Sequence, residues 1–188
     1  MSVIAAICSS RTASTWLASD TVSSSGNLHL VVGPKWIMRH SWGVGVAGHL
    51  RTINVFQQHA DELLKDLSDP YEFARRARDL LTADGYRSGK DDAGPCEFGQ
   101  MLMLANTRSV WTIGADFSLT EVPADSLWAE GSGRELAIGA AHALQATVSD
   151  ISAKDLIRLA VETAVARDVG CGGSAWIAEL AKNSGSRL

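Results

Sequence analysis

A serine stands at position 2, ahead of the apolar run "VIAAIC" from Val3 to Cys8. Removal of the start methionine, Met1, would make Ser2 the N-terminal residue. Ser2 would then carry a hydroxyl and a free α-amine together. Such an amine titrates at about 7.7–8.0, so near neutral pH part of it is unprotonated and can take up a proton. Nucleophile and general base would share one residue. Serine is common at position 2, so this chemistry needs partners elsewhere in the chain.

Six further residues could supply them. Asp20 closes the second apolar run, where its ordinary role is to cap a turn. Lys35 follows Gly33 and Pro34 at the head of another apolar run. Its ordinary role is an edge lysine with its ammonium in water. Buried beside Asp20 instead, it would lower the pKa of a nearby amine or hydroxyl. Gly48, where a strand gives way to a helix, can point its N–H at an oxyanion or simply allow the bend. Ser132 in "EGSGR", and Asp168 with Cys171 in "RDVGCGG", follow element ends, where turns and caps are the usual roles. The segment "GVGVAGH" (Gly43 to His49) is rich in glycine but lacks the lysine signature of a phosphate loop.

The elements that must position these groups are legible from periodicity. Val3–Cys8 and Thr15–Asp20 read as strands joined by a hairpin turn through "SSRTAS", and "SSSGN" (Ser23–Asn27) reads as a turn. "KWIMRHSWGVGVAG" reads as two strands with a turn near Ser41. Leu50, Ile53, Phe56, Ala60, Leu63, Leu64 and Leu67 then recur at three and four residues, which predicts one helix face. A second helix starts at Asp69–Pro70, an N-cap followed by proline in the first turn. "ADGYRSGKDDAGP" reads as a polar, mobile loop. Strands resume in "FGQMLMLAN", "SVWTIGA", "FSLTEVP" and "SLWAEGSG". Two helices follow, Arg134–Thr147 and Ser152–Arg167, the latter with Ser152 and Asp155 as a capping box. "SAWIAEL" is a closing strand. Sheet, helix pair, sheet, helix pair predicts an α+β chain folded as a four-layer αββα sandwich of antiparallel sheets.

Composition excludes several classes. The 188 residues suit one domain over 1–188, with 46% apolar residues and a net charge of −4. That balance carries no basic footprint for nucleic acid. No apolar run reaches the roughly 20 residues of a membrane helix. No basic segment precedes the first apolar stretch, as a signal peptide requires. Cys8, Cys96 and Cys171 are odd in number and scattered. They fit a reducing cytoplasm and form no zinc-ligand spacing.

Taken in order, these pieces resemble the N-terminal-nucleophile hydrolases of the proteasome β-subunit class. The resemblance rests on Ser2, on "ASDTVSSSGN" against an Ala-x-Asp-x-x-x-x-x-Gly-Asn segment, on Lys35, and on "VAGHL", "GSG" and "RD" with its glycine-rich turn. With Met1 alone to remove, it is closer to the bacterial peptidase HslV and its betaproteobacterial proteasome homologue branch. The resemblance implies the Ntn-hydrolase fold and these roles. Ser2 is the nucleophile and its amine the base; Lys35 lowers their pKa and Asp20 holds Lys35. The Gly48 N–H forms the oxyanion hole, and Ser132 and Asp168 position the amine. Ser24 and Leu50 pair substrate backbone, and Val46 floors the side-chain pocket. Two departures stand out. Ser2 replaces the usual threonine and loses the methyl that stiffens the rotamer. Cys171 replaces a supporting serine with a weaker hydrogen-bond partner.

The function implied is a self-compartmentalising, threonine-type peptidase. It would cleave peptides or unfolded proteins without metal or cofactor, in a cytoplasmic double ring of twelve or fourteen identical subunits, with an ATP-dependent unfoldase as a possible partner. A second reading is a ring-forming relative without catalysis, serving as a binding shell. A third, a small-molecule amidase, is opposed by the match to the peptide-groove segments.

Overall fold

In the computed structural model of the chain, residues 2–25, 28–86 and 101–180 are described. In chain order the first strands are β1 (Val3–Ser9), β2 (Ser14–Ser19), β3 (Val22–Ser25), β4 (Leu28–Val31), β5 (Trp36–Arg39) and β6 (Trp42–Ala47). Helices α1 (Leu50–Gln58), α2 (Ala60–Leu64) and α3 (Pro70–Ala83) come next. They are followed by β7 (Met101–Asn106), β8 (Val110–Ile113), β9 (Leu119–Val122) and β10 (Trp128–Gly131). Helices α4 (Arg134–Thr147) and α5 (Ala153–Arg167) precede β11 (Trp176–Leu180).

Every residue of β1 is buried, so both of its faces need a covering layer. Strand alternation separates those faces. Ile4, Ala6 and Cys8 point inward with Leu17, against Trp36, Met103, Ala105 and Val110 of a second sheet. Val3, Ala5 and Ile7 point outward, against Ala137, Ala141, Ile157, Ala160 and Ala164 of α4 and α5. The first sheet has the order β10-β1-β2-β11 and the second β5-β6-β7-β8-β9, all pairs antiparallel. The outer face of the second sheet, through Val44, Leu102, Leu104 and Ile113, packs on Ile53, Phe56, Leu63, Phe73 and Leu81 of α1 to α3. Helices, sheet, sheet, helices is the predicted four-layer αββα sandwich. The alanines of α4 and α5 are what let that layer approach closely.

Some local expectations change. The apolar face expected from Leu50 to Leu67 is carried by two helices rather than one, with a break at His59, and Leu67 follows the end of α2. The apolar period runs on through the break. Helix α2 restarts with Asp61 and Glu62 in its first turn, where acids suit the helix dipole. Of the turn expected over Ser23–Asn27, Ser23 to Ser25 instead run in β3 and pair with β4. Gly26 and Asn27, most of the polar loop after Tyr86, Cys96 and the first residues of "FGQMLMLAN" lie outside the described residues. The capping box of α5 is present, with Ser152 Oγ accepting the Asp155 N–H at 3.0 Å. Asp69 caps α3 by accepting the Glu72 N–H at 2.8 Å.

Gly43 and Gly45 of "GVGVAG" belong to β6, and their use is close approach. A Cβ on Gly45 would lie 2.8 Å from the Trp36 ring and 3.0 Å from Ile4 Cδ1. One on Gly43 would lie 2.9 Å from Leu17 Cδ1. The indole of Trp36 fills that space and donates Nε1–H to the Ala18 carbonyl at 2.8 Å, tying the sheets together. Gly45→Ala should therefore destabilise the fold by about 1–3 kcal/mol, as overpacking of a filled core does. Urea unfolding followed by circular dichroism reads this directly; an unshifted midpoint would mean that Trp36 yields the space freely.

Candidate active site

The start of β1 is held by main-chain and side-chain bonds together. The Val3 N–H donates to Asp20 Oδ1 at 3.0 Å, and the Asp20 N–H to the Val3 carbonyl at 3.1 Å. The Ser2 carbonyl accepts the Gly133 N–H at 3.2 Å. The Ser2 nitrogen donates to Ser132 Oγ at 3.2 Å. Ser2 is 4% exposed. These bonds are made because "SDT" ends β2 beside the head of β1, while "GSG" turns out of β10 on its other edge.

Asp20 and Lys35 are both sealed from solvent, at 0% and 1% exposure. Lys35 Nζ donates to Asp20 Oδ1 and, at 2.6 Å, to the Val22 carbonyl. Its main-chain N–H donates to Ser19 Oγ at 3.1 Å. The edge-lysine role is thus excluded. Burial pulls the ammonium's pKa below its ordinary value, although the charge and hydrogen bond of Asp20 work the other way. The second carboxylate oxygen of Asp20 accepts the Gly172 N–H at 3.3 Å, linking the pair to the turn after α5.

That turn supplies Asp168 and Cys171. Asp168 is the C-cap residue of α5. It accepts the Gly170 N–H at 2.9 Å and the Cys171 thiol at 3.3 Å. Burial acts to raise its pKa; hydrogen bonds from Ser132, Gly170 and Cys171 outweigh this and hold it below the usual carboxylate value. Burial, with the charges of Asp20 and Asp168, pushes the Cys171 thiol up to about 12. Cys171 is therefore a protonated donor at neutral pH and does support Asp168, in the way its weaker donor chemistry left open. Gly133 admits it: a Cβ there would meet Cys171 Sγ at 2.8 Å.

Ser2, Gly48 and Ser132 share one cavity of about 450 Å³, which Ala47, Met101 and Arg134 also line. Gly48 holds φ at +150°, a backbone setting that favours glycine. The substrate-contact residues are placed differently. Alternation along β6 turns Val46 to the helix side, where it is wholly buried in the outer core. Its neighbour Ala47 reaches the cavity instead. Leu50 packs half-buried against that outer core. Ser24 stands in β3 opposite His29 in the register. Met101 and Arg134 escaped sequence reading; the only signal was that Arg134 directly follows "GSG". A larger cavity, about 690 Å³, opens at the far end of β1 beside Ser9, Ser14, Trp16 and Asp150. It holds none of the chemical groups above, so size alone would misplace the site. Among the described residues no group of three His, Cys, Asp or Glu could hold a metal ion.

No protein-family model matches the sequence, and no curated protein sequence matches it. The fold does have solved relatives. Thiobacillus denitrificans BPH superposes with a TM-score of 0.75 at 19% identity, covering 96% of this chain and 100% of that one. The same protein in complex with epoxomicin gives 0.74 at 18%, with the same coverage. Eukaryotic HslV from Trypanosoma brucei gives 0.69 at 20%, covering 94% and 98%. The chain shares the proteasome and HslV Ntn-hydrolase fold over nearly its whole length.

Two outcomes follow from the buried groups. Lys35→Met leaves Asp20 charged and unpaired and should cost about 3–5 kcal/mol. Adding Asp20→Asn should recover part of that loss in a denaturant-unfolding cycle; equal stability of parent and Lys35→Met would contradict the buried pair. Cys171 should alkylate about a thousandfold more slowly in the native protein than unfolded at pH 8, since only the thiolate reacts. Its stabilising contribution is whole below pH 9.0, where both states hold the proton. It is lost as pH rises toward about 12, because the unfolded thiol ionises first. Alkylation read by peptide mass spectrometry checks the rate, and fast native labelling would contradict the raised pKa.

Proposed function

We propose that the chain is a peptidase of the proteasome type, a single catalytic domain that acts through an acyl-enzyme on Ser2. The observation that carries this reading is the buried Lys35–Asp20 pair joined to the head of β1, with Ser132 on the Ser2 nitrogen. A cation kept dry at that point has no solvating role to play. It lowers the pKa of the hydroxyl and amine near it.

Loss of Met1 turns the Ser2 nitrogen into a free amine. That amine takes the Ser2 Oγ proton, directly or through a water. The oxygen attacks the peptide carbonyl carbon, and the oxyanion forms toward the Gly48 N–H. The proton then passes to the departing amine as the C–N bond breaks, leaving an ester on Ser2. Water, deprotonated by the same amine, attacks the ester and restores the hydroxyl. Ser132, with Asp168 and Cys171 behind it, fixes where the amine's hydrogens point. The acyl part of the substrate lies along β3 as an added strand, with Ser24 and Leu50 beside it. Val46 acts from beneath the pocket by setting the course of β6. The likeness to proteasome-type structures supports assembly of identical subunits into rings; peptides or unfolded protein are the substrate class that goes with the proposed chemistry.

Epoxomicin, found with the Thiobacillus denitrificans relative, is the probe of choice. Its epoxyketone needs a hydroxyl and a free amine on one residue to close its ring. Protein lacking Met1 should gain one inhibitor mass, mapped to Ser2, and lose its peptidase activity. Ser2→Ala should abolish turnover of a small fluorogenic peptide, and Ser2→Thr should retain it. A processed protein with neither adduct nor turnover would leave the catalytically silent shell as the function.

A further inference from the structure

We infer that Arg134 selects a carboxylate on the leaving-group side of the cleft, an inference that rests on the peptidase reading above. Strand β6 has β5 at one edge and β7 at the other. Lys35 leads into β5 and its Nζ reaches the Val22 carbonyl of β3, so the proposed acyl side lies toward the β5 edge. The cavity beside Ser2 opens the opposite way, toward Met101 of β7, which faces Ala47 in the register, and toward Arg134 at the start of α4. A chain that runs along β3 and is cut at Ser2 places its next residue in this cavity.

Arg134 is exposed at the cavity, its side chain 46% accessible, and its ion pairs are long. Nη1 stands 3.9 Å from Glu130 Oε2 and Nη2 stands 3.9 Å from Glu135 Oε1, both beyond hydrogen-bond reach. Among the described residues the side chain makes no closer polar contact. Its two acidic neighbours do not replace a ligand. Glu130 is turned away from the cavity, its Oε1 accepting Thr112 Oγ1–H at 2.7 Å and Trp128 Nε1–H at 2.9 Å. Glu135 lies on the rim with its side chain 87% exposed, where water screens it. The cavity is thus lined by one cation, Arg134, and one carboxylate, Glu135, and the guanidinium keeps hydrogen-bonding capacity that its two long ion pairs do not use. The guanidinium fork matches a carboxylate through two parallel N–H bonds. The carboxylate could belong to an Asp or Glu side chain or to a free C-terminus at that position.

The test uses processed full-length protein and quenched-fluorescence peptides that differ only in the first residue after the scissile bond: Glu, Ala or Lys. The readout is the ratio of kcat/KM for Glu over Ala within one protein. Expected is about tenfold in the parent, in line with a charge-assisted hydrogen bond. It should fall to about one in Arg134→Ala, invert toward Lys in Arg134→Glu and rise in Glu135→Ala. An Ala peptide ending at that residue, as free acid against amide, separates the terminal carboxylate from the side chain. Turnover with no Glu preference, or a preference that survives Arg134→Ala, overturns the inference and leaves the peptidase intact. No turnover of any peptide, with Ser2 processed and no epoxomicin adduct, overturns the peptidase reading and this inference with it.

Discussion

The Asp20 carboxylate is the constraint on which the rest of the arrangement depends. It is completely buried, so its charge must be met by protein groups alone. Three meet it: the Val3 N–H from β1, the Lys35 ammonium from the head of β5, and the Gly172 N–H from the turn after α5. These come from both sheets and from the end of the second helix pair. A buried charge with one donor missing is far costlier than a surface charge, so the three segments cannot drift independently. The position of Ser2 follows, because it precedes Val3 by one residue.

Around that point the two sheets are drawn close by small residues. Gly43 and Gly45 leave space that Leu17 and the Trp36 ring occupy. Trp36 directly follows Lys35, so the same tight packing that closes the inner core also excludes water from the ammonium. Core packing and the buried ion pair thus meet in one dipeptide. The departures from the usual side chains are tolerated for a similar reason. Cys171 is bulkier than serine, yet the bare Cα of Gly133 makes room for its sulfur, and the thiol still reaches Asp168.

Much of this was legible in the sequence because it lives in local signals. Strand alternation in β1 and β2, the Asp69–Pro70 start, and the helix from Arg134 to Thr147 depend on periodicity and caps, and each is found where those signals place it. A Lys35–Asp20 pair could be offered from chemistry, but its grouping with Ser2 and Ser132 rests on resemblance, since no local rule says that residues so far apart meet. Three features were hidden. The break at His59 leaves the apolar period undisturbed. The side that Val46 faces depends on the register of β6, which a single strand does not reveal. Arg134 was masked by its helix context, where a charged first-turn residue looks like ordinary solvent-facing polarity.

The long separation between partners has a consequence for the order of events during synthesis. Ser2 and Ser132 are 130 residues apart, and Asp20 and Gly172 are 152 apart. Contacts of such range close late, after the loop entropy of the intervening chain has been overcome. While a ribosome is still extending the chain, β1 and β2 can form a hairpin, but its Asp20 lacks Gly172 and its Ser2 lacks Ser132. A nascent chain shorter than 172 residues therefore holds all of β1 and β2 without the groups that complete the surroundings of Ser2 and Asp20. The order of synthesis thus makes Gly172, and not the strand that begins at Ser2, the last piece of that buried cluster to arrive.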